Sequence, residues 1–131
     1  MIQVFKSELI KQQLTPEELS DLADDFHQYK KTSTPANYFG RDVPYNDQLT
    51  PPLIRQEEVA HLHLVNPVHG RRSCPQFNRT SDNHLVYCQG FFNREQYLLM
   101  LILKPNAHEQ ARNHNTMYKL AKMASNFREK Y

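Results

Sequence analysis

The segment NHLVYCQGFFNREQYLLMLILK, residues 83–104, decides the fold class because it holds two strand-forming runs joined by a short link. The runs cover residues 83–91 and 96–104, and the polar link FNRE is short enough for an antiparallel hairpin. The second run is apolar on both of its faces. Such a strand is expected in the centre of a sheet or under a covering layer.

A third strand is predicted over residues 57–65, EEVAHLHLV. Alternate residues of a strand point to the same side of the sheet. The core side of this strand therefore carries Ala60, Leu62 and Leu64, and the opposite side carries His61, His63 and Val65. Two imidazoles on one strand face are unusual enough to require an explanation.

The same parity divides the strand over residues 83–91. Leu85 and Tyr87 are expected to face the core, whereas His84 and Cys88 share the other side with the preceding Asp82. If this strand lies next to residues 57–65, we expect a polar group on one side of the sheet. Its members would be His61, His63, Asp82, His84 and Cys88.

The amino-terminal part adds a strand and helices. Residues 2–6 predict a short strand, and residues 7–14 a brief helix. Thr15 and Glu18 have the spacing of a capping box, with Pro16 in the first helical position. Apolar residues at spacings of three and four predict an amphipathic helix ending near Lys31: Leu19, Leu22, Phe26 and Tyr29.

A second amphipathic helix is predicted at the carboxyl terminus, after a capping pattern formed by Asn106 and Glu109. Its apolar stripe consists of Met117, Leu120, Ala121, Ala124 and Phe127. We expect this stripe to pack in the core, with a landing site for a partner as the alternative. The predicted fold is α+β: a small antiparallel sheet of about four strands, with N-terminal helices and a C-terminal helix.

Residues 32–52 have four prolines and no sustained period, so no regular element is predicted there. Loops of this length are often functional. Arg41 and Asp42 lie within this segment. They could position a substrate, but an ion pair between the two side chains is the favoured interpretation.

Length and composition set the class of protein. A chain of 131 residues is expected to form one domain, residues 1–131. It has no apolar run of membrane-spanning length and no signal-peptide pattern, so we expect a cytoplasmic protein with no membrane association. Cys74 and Cys88 fit no metal-binding spacing and are predicted to be free thiols.

Charge is distributed unevenly along the chain. Residues 1–60 hold 6 Lys and Arg against 10 Asp and Glu, whereas residues 61–131 hold 10 against 4. Six of the seven histidines also lie in the second part. A basic half suits a polyanionic partner such as RNA, although a chance distribution of solvated charges gives the same pattern.

Three interpretations of the histidines remain open. They could be half-exposed strand residues without chemistry, since histidine tolerates intermediate burial. They could hold a metal, because an H-x-H pair on a strand occurs in zinc and iron sites and Asp82 or His84 could add a ligand. They could also catalyse RNA cleavage without a metal.

RNA cleavage requires a base for the ribose 2′-hydroxyl, an acid for the departing 5′-oxygen and a cation near the phosphate. Histidine suits the first two roles because its pKa lies near neutrality. Arginine suits the third because its fork binds phosphate oxygens. The candidate acid and base groups are His61, His63 and His84, and the candidate phosphate ligands include Arg79 and Lys104.

Several ordered segments of the chain resemble the YafO-type mRNA interferase toxins of bacterial toxin-antitoxin pairs. They are VFKSELI, LTPEEL, FGRD, PLIRQEEVAHLHL, FNRTSDNHLVYCQG, LLMLILKP and HEQARNHNTMYKLAKMASNFR. No correspondence is found in the loop NPVHGRRSCPQ. The resemblance otherwise covers almost the whole chain.

The resemblance implies an endoribonuclease that cleaves mRNA on translating ribosomes, uses no cofactor or metal and is neutralised by a cognate antitoxin protein. It also implies distant kinship with RelE/ParE-like toxins, whose helices cover one face of the sheet and whose RNA groove lies on the other. A homodimer is possible in such toxins. The runner-up function is a ParE-like binding toxin that does not cut RNA.

On this basis we assign roles as a hypothesis. His61 or His63 acts as the general base or orients it, and His84 or His108 acts as the general acid. Asp82 orients a histidine. Three cations are candidate ligands of the RNA phosphate: Arg79, Lys104 and Arg41.

Overall fold

The computed structural model describes residues 1–48, 50–66, 75–104 and 113–131. The chain is an α+β protein. Its described elements are, in order, β1 (Gln3–Lys6), α1 (Glu8–Gln13), α2 (Pro16–Thr32), β2 (Phe39–Pro44), α3 (Pro52–Gln56), β3 (Ala60–Leu64), a 3₁₀ turn (Gln76–Asn78), β4 (His84–Gln89), β5 (Gln96–Leu103) and α4 (His114–Lys130).

The strands form a five-stranded mixed sheet in the order β1-β5-β4-β3-β2. The pairs β2/β3, β3/β4 and β4/β5 are antiparallel, which confirms the hairpin over residues 83–104. β1 pairs with β5 in parallel, and α1 and α2 carry the chain from β1 at one edge of the sheet to β2 at the other edge. The prediction of about four strands, all antiparallel, was therefore wrong in both number and direction.

The additional strand is β2, which lies inside the segment predicted to lack regular structure. Its sequence FGRDVP contains residue types that are rare in strands, and its ladder with β3 is irregular between Phe39 and Asp42. Both features are tolerated because β2 is an edge strand. Gly40 is required there, since a Cβ atom would lie 2.1 Å from the carbonyl oxygen of Arg79.

Side-chain caps fix the starts of the two long helices. The Thr15 hydroxyl accepts a hydrogen bond from the Glu18 amide at 3.1 Å, and Glu18 accepts one from the Thr15 amide at 2.9 Å, which confirms the capping box. α4 begins after Asn113, whose side chain accepts from the Thr116 amide at 3.1 Å. The capping pattern predicted at Asn106 and Glu109 lies outside the described residues.

Hydrophobic clusters occupy both faces of the sheet. The first joins α1 and α2 to one face and includes Ile10, Phe26, Leu62, Leu85 and Leu99. The second joins α3 and α4 to part of the other face and includes Ile54, Val86, Met100, Met117 and Leu120. The apolar stripe of α4 thus lies in the core, as predicted. The resemblance implied that helices cover only one face of the sheet, whereas α3 and α4 also pack on part of the other face. No helix in the described ranges is long and apolar enough to cross a membrane.

Candidate active site on the histidine face

Three imidazole rings converge on the face of the sheet that α4 partly covers. His63 and His84 are register partners across β3 and β4, and His61 pairs with Val86 two positions along. The ring centroids are 4.2 Å apart for His63 and His84, 4.9 Å for His61 and His84, and 5.3 Å for His61 and His63. The prediction that these histidines share one side of the sheet is confirmed. We call the three residues the histidine cluster.

One residue, Ser81, holds two of the rings through its main chain. Its backbone amide donates to Nδ1 of His63 at 2.9 Å, and its carbonyl oxygen lies 3.1 Å from Nε2 of His84 and accepts from it. A neutral His63 therefore carries its proton on Nε2, and so does a neutral His84. The Ser81 hydroxyl in turn donates to the Leu64 carbonyl at 2.6 Å, which ties this turn to β3.

Tyr45 extends the histidine cluster and was missed by the sequence reasoning. Its ring stacks on His61 with centroids 4.1 Å apart and an interplanar angle of 15°. Burial raises the pKa of the Tyr45 hydroxyl, which therefore stays neutral at physiological pH. Strand parity was the signal: Val43 pairs with His61, and Tyr45 lies two residues further along the same side. That signal required β2, which the sequence did not reveal.

Burial distinguishes the rings from one another. His63 is 3% exposed and His84 is 2% exposed, whereas His61 is only partly buried. A group that exchanges a proton with a substrate must come within hydrogen-bond distance of it. His61 is therefore the member of the histidine cluster best placed to contact a ligand.

The remaining members of the predicted polar group are distributed differently. Asp82 is exposed in the bend before β4. Cys88 is a free thiol, buried in the core beneath α4, and burial raises its pKa to about 12. It is therefore a neutral core residue. His108 and Cys74 lie outside the described residues.

Arg41 and Asp42 do not pair with each other, so that prediction was wrong. Arg41 donates from Nε to the carbonyl oxygen of Phe77 at 2.7 Å, and its guanidinium lies over the Phe77 ring at 4.1 Å from the centroid. Asp42 instead bonds to groups on α2 and β4. Neighbouring residues on a strand point to opposite sides, which separates the two side chains.

The other two predicted phosphate ligands are Arg79 and Lys104. Arg79 follows the 3₁₀ turn, and its Nε is buried with no hydrogen-bond partner among the described residues. Lys104 is exposed just past β5. Its charge contributes to a lowered pKa of Glu18 at the start of α2, after the larger effect of the hydrogen bond from the Thr15 amide.

A second polar group lies on the opposite face, beneath α2. We call it the Lys30–Asp42 cluster. Asp42 accepts hydrogen bonds from Tyr29 at 2.7 Å, Lys30 at 3.0 Å and Tyr87 at 2.5 Å. Tyr87 faces the core side of β4 as predicted. Burial, followed by the Asp42 charge, raises the pKa of both tyrosine hydroxyls, so the cluster holds one compensated ion pair and two neutral phenols.

Metal binding was one of the open interpretations of the histidines. In the parts of the chain that the structure describes, no three His, Cys, Asp or Glu side chains are grouped so that they could hold a metal ion.

Comparison with known proteins places this small α+β chain in a toxin class. Residues 27–129 match the family described as Toxin YafO, type II toxin-antitoxin system. The chain is also 48% identical over 132 residues to the mRNA interferase toxin YafO of Escherichia coli (strain K12), covering 99% of this chain and 100% of the relative. No solved structure matches. The chain therefore belongs to the type II toxins and, within that class, to the YafO family, which confirms the resemblance found in the sequence.

Proposed function

We propose that this chain is an mRNA interferase, an endoribonuclease that acts as the toxin of a type II toxin-antitoxin pair. The observation that carries the proposal is the full-length identity of 48% to a protein named as an mRNA interferase toxin. A relationship of this extent covers both the sheet and the histidine cluster. A toxin of this class has a cognate antitoxin as partner, and mRNA, on translating ribosomes in the cytoplasm, is the proposed target.

The proposed reaction needs no metal. A base removes the proton of the ribose 2′-hydroxyl, the 2′-oxygen attacks phosphorus, and the bond to the 5′-oxygen breaks as an acid protonates that oxygen. The products are a 2′,3′-cyclic phosphate and a 5′-hydroxyl. Two groups of opposite protonation state are required, and imidazoles supply both near neutral pH.

We assign the contact with the ribose to His61, because it is the least buried ring of the histidine cluster. His63 and His84, held by the main chain of Ser81, position it and accept or supply protons. Asp82 would orient a ring, and His108 remains a candidate acid. The candidate phosphate ligands are Arg41, Arg79 and Lys104.

The fold is proposed to be a variant of the RelE/ParE-like plan, formed by one domain over residues 1–131. In support, the N-terminal helices pack on one face of a sheet with three antiparallel strand pairs, and the polar histidine cluster lies on the other. The parallel β1 and the packing of α4 on the histidine side are departures from that plan. A homodimer is compatible with such a fold.

A binding toxin that does not cut RNA is the second candidate. The observation that favours it is the burial of His63 and His84, which are 3% and 2% exposed and so cannot both touch RNA in this conformation. The two functions differ in their product, because only an interferase creates new mRNA ends.

The deciding experiment is induced expression of the chain with mapping of mRNA 5′ ends, in cells and in extracts with and without ribosomes. We expect growth arrest together with new ends that carry a 5′-hydroxyl. The control set is His61→Ala, His63→Ala and His84→Ala. Growth arrest without new ends would support the binding toxin instead.

A second arm of the same experiment tests the metal-dependent alternative. Cleavage in the extract is expected to be unchanged when the purified toxin has first been treated with EDTA and the chelator removed. Near-stoichiometric metal in the purified protein, with activity lost after that treatment, would replace acid/base cleavage by metal-dependent hydrolysis.

A further inference from the structure

Phe77 is a large aromatic residue that the fold leaves in solvent. It lies in the 3₁₀ turn Gln76–Asn78 beside the edge strand β2, and 60% of its surface is exposed. Single exposed apolar residues are common on proteins and need no explanation by themselves. What distinguishes Phe77 is that the surrounding structure fixes its position.

The turn that carries Phe77 is tied to two other elements, α2 and β2. Gln76 donates through Nε2 to the Tyr29 hydroxyl at 3.0 Å and to the Gly40 carbonyl at 2.9 Å. The Arg41 amide donates to the Arg79 carbonyl at 2.8 Å. The turn is therefore anchored to α2 and β2 on both sides of Phe77.

Arg41 fixes the residue itself. Its Nε bonds to the Phe77 carbonyl, while its guanidinium covers one face of the ring at 4.1 Å. A guanidinium over a phenyl ring is a favourable cation–π contact. The result is a preorganised aromatic surface with a positive charge beside it.

The turn also leads directly into the histidine cluster. Ser81, which bonds His63 and His84, follows Phe77 by four residues. Four residues span at most about 14 Å, which is the rise of about four stacked nucleotides. A single RNA strand that reaches Ser81, beside the histidine cluster, therefore needs about four nucleotides or fewer to reach Phe77.

We propose that Phe77 is a base-stacking residue, on which an unpaired nucleobase of the mRNA substrate lies while Arg41 attracts the adjacent phosphate. This inference rests on the proposed function and identifies part of its RNA-binding surface. Aromatic side chains beside arginine are a general means of holding single-stranded RNA, because every base has a flat face. The stack would hold the strand in register with the histidine cluster.

A matched control residue, Phe91, lies beyond the opposite end of β4 from His84. Phe91 is also 60% exposed and also has an arginine near its ring, with Arg128 at 5.4 Å from the centroid. It follows the C-terminal end of β4, whereas His84 begins that strand. Phe91 therefore shares the chemistry of Phe77 but not its position.

The test compares cleavage rates of one synthetic mRNA in a translating extract for wild type, Phe77→Leu, Phe77→Trp and Phe91→Leu. Loss of a stacked base is expected to slow cleavage by Phe77→Leu roughly 5- to 100-fold. Phe77→Trp keeps a flat ring and should stay within about threefold of wild type. Phe91→Leu should match wild type, and equal melting temperatures show that all variants are folded.

The possible outcomes are distinguishable. Wild-type cleavage by Phe77→Leu, equal losses in Phe77→Leu and Phe91→Leu, or a Phe77→Trp variant as slow as Phe77→Leu would each overturn the stacking role alone. Full cleavage by Phe77→Leu combined with escape from the antitoxin would assign Phe77 to the antitoxin instead. Absence of cleavage by the wild type would overturn the proposed function itself.

Discussion

The two faces of the sheet each carry a polar cluster made of residue types that enzymes use, but the clusters are built differently. In the Lys30–Asp42 cluster, opposite charges neutralise each other 3.0 Å apart, with 17% and 12% of the two side chains exposed. In the histidine cluster, tilted ionisable rings lie 4.2 to 5.3 Å apart, and main-chain groups of Ser81 hold two of them.

The difference supports a structural role for the Lys30–Asp42 cluster and is the basis on which we propose the histidine cluster as the reactive one. Asp42 receives three hydrogen bonds, and Lys30 also lies 4.6 Å and 4.9 Å from the ring centroids of Tyr29 and Tyr87. These contacts occupy the charged groups of both side chains within the fold. His63 and His84 are bonded instead to the main-chain amide and carbonyl of Ser81, and the partly buried His61 is the ring that a ligand can contact.

The largest expected effect is on cleavage, at His61. Asn has no group that transfers a proton near pH 7, so His61→Asn should slow mRNA cleavage about 10²- to 10⁴-fold. Rates in a translating extract measure this, with Asp42→Asn as the control on the opposite face. If Asp42→Asn abolished cleavage per folded molecule and His61→Asn did not, the roles of the two clusters would be reversed.

The next effect is on stability, at Asp42. Asp42→Asn leaves Lys30 without its counter-ion beneath α2 and should lower the free energy of unfolding by about 3 kcal/mol in urea titrations. The matched control is Glu8→Gln, which removes an exposed ion pair with Lys11 and should cost less than about 1 kcal/mol. Adding Lys30→Met to Asp42→Asn should recover part of the loss, and no recovery would contradict the ion-pair explanation.

A smaller effect concerns stability at alkaline pH. An unfolded tyrosine ionises near pH 10, whereas Tyr29 and Tyr87 have raised pKa values in the folded chain, first by burial and then by Asp42. Their neutral forms therefore contribute stability that is complete below about pH 10 and is lost as the pH rises further.

Melting temperatures between about pH 8 and about pH 11 should show this decline. Each such tyrosine adds up to about 1.4 kcal/mol per pH unit to the slope of the free energy of unfolding against pH. Tyr87→Phe should therefore make the fall in melting temperature with pH less steep. Tyr118→Phe is the control, because Tyr118 is 61% exposed. An equal change in both variants would place the origin of the slope elsewhere.

The smallest effect is expected at Ser81. Ser81→Ala removes the hydroxyl that bonds the Leu64 carbonyl and should cost about 1 kcal/mol in the free energy of unfolding. Cleavage should change little, because the amide and carbonyl that hold His63 and His84 belong to the main chain. A loss of cleavage as large as that of His61→Asn would show that the hydroxyl itself takes part in the reaction.

Sequence reasoning succeeded where local periodicity and pairing agree. Strand parity put His61 and His63 on one side and Leu62 on the other, and the register of β3 with β4 then brought His84 to them. It failed at β2, because an edge strand with a bulge and a proline lacks the alternation that parity needs. Tyr45 was lost with that strand, since its position follows from β2 alone.

The sequence alone determined the family, the α+β class, the two long helices with their caps and the shared face of each strand, because these depend on local spacing and on similarity along the chain. Only the tertiary structure decided that β1 is parallel, that Asp42 pairs with Lys30 rather than Arg41, and that Tyr45 stacks on His61. Those contacts join residues far apart in the chain, and their partners are selected by packing across the whole sheet rather than by any local pattern.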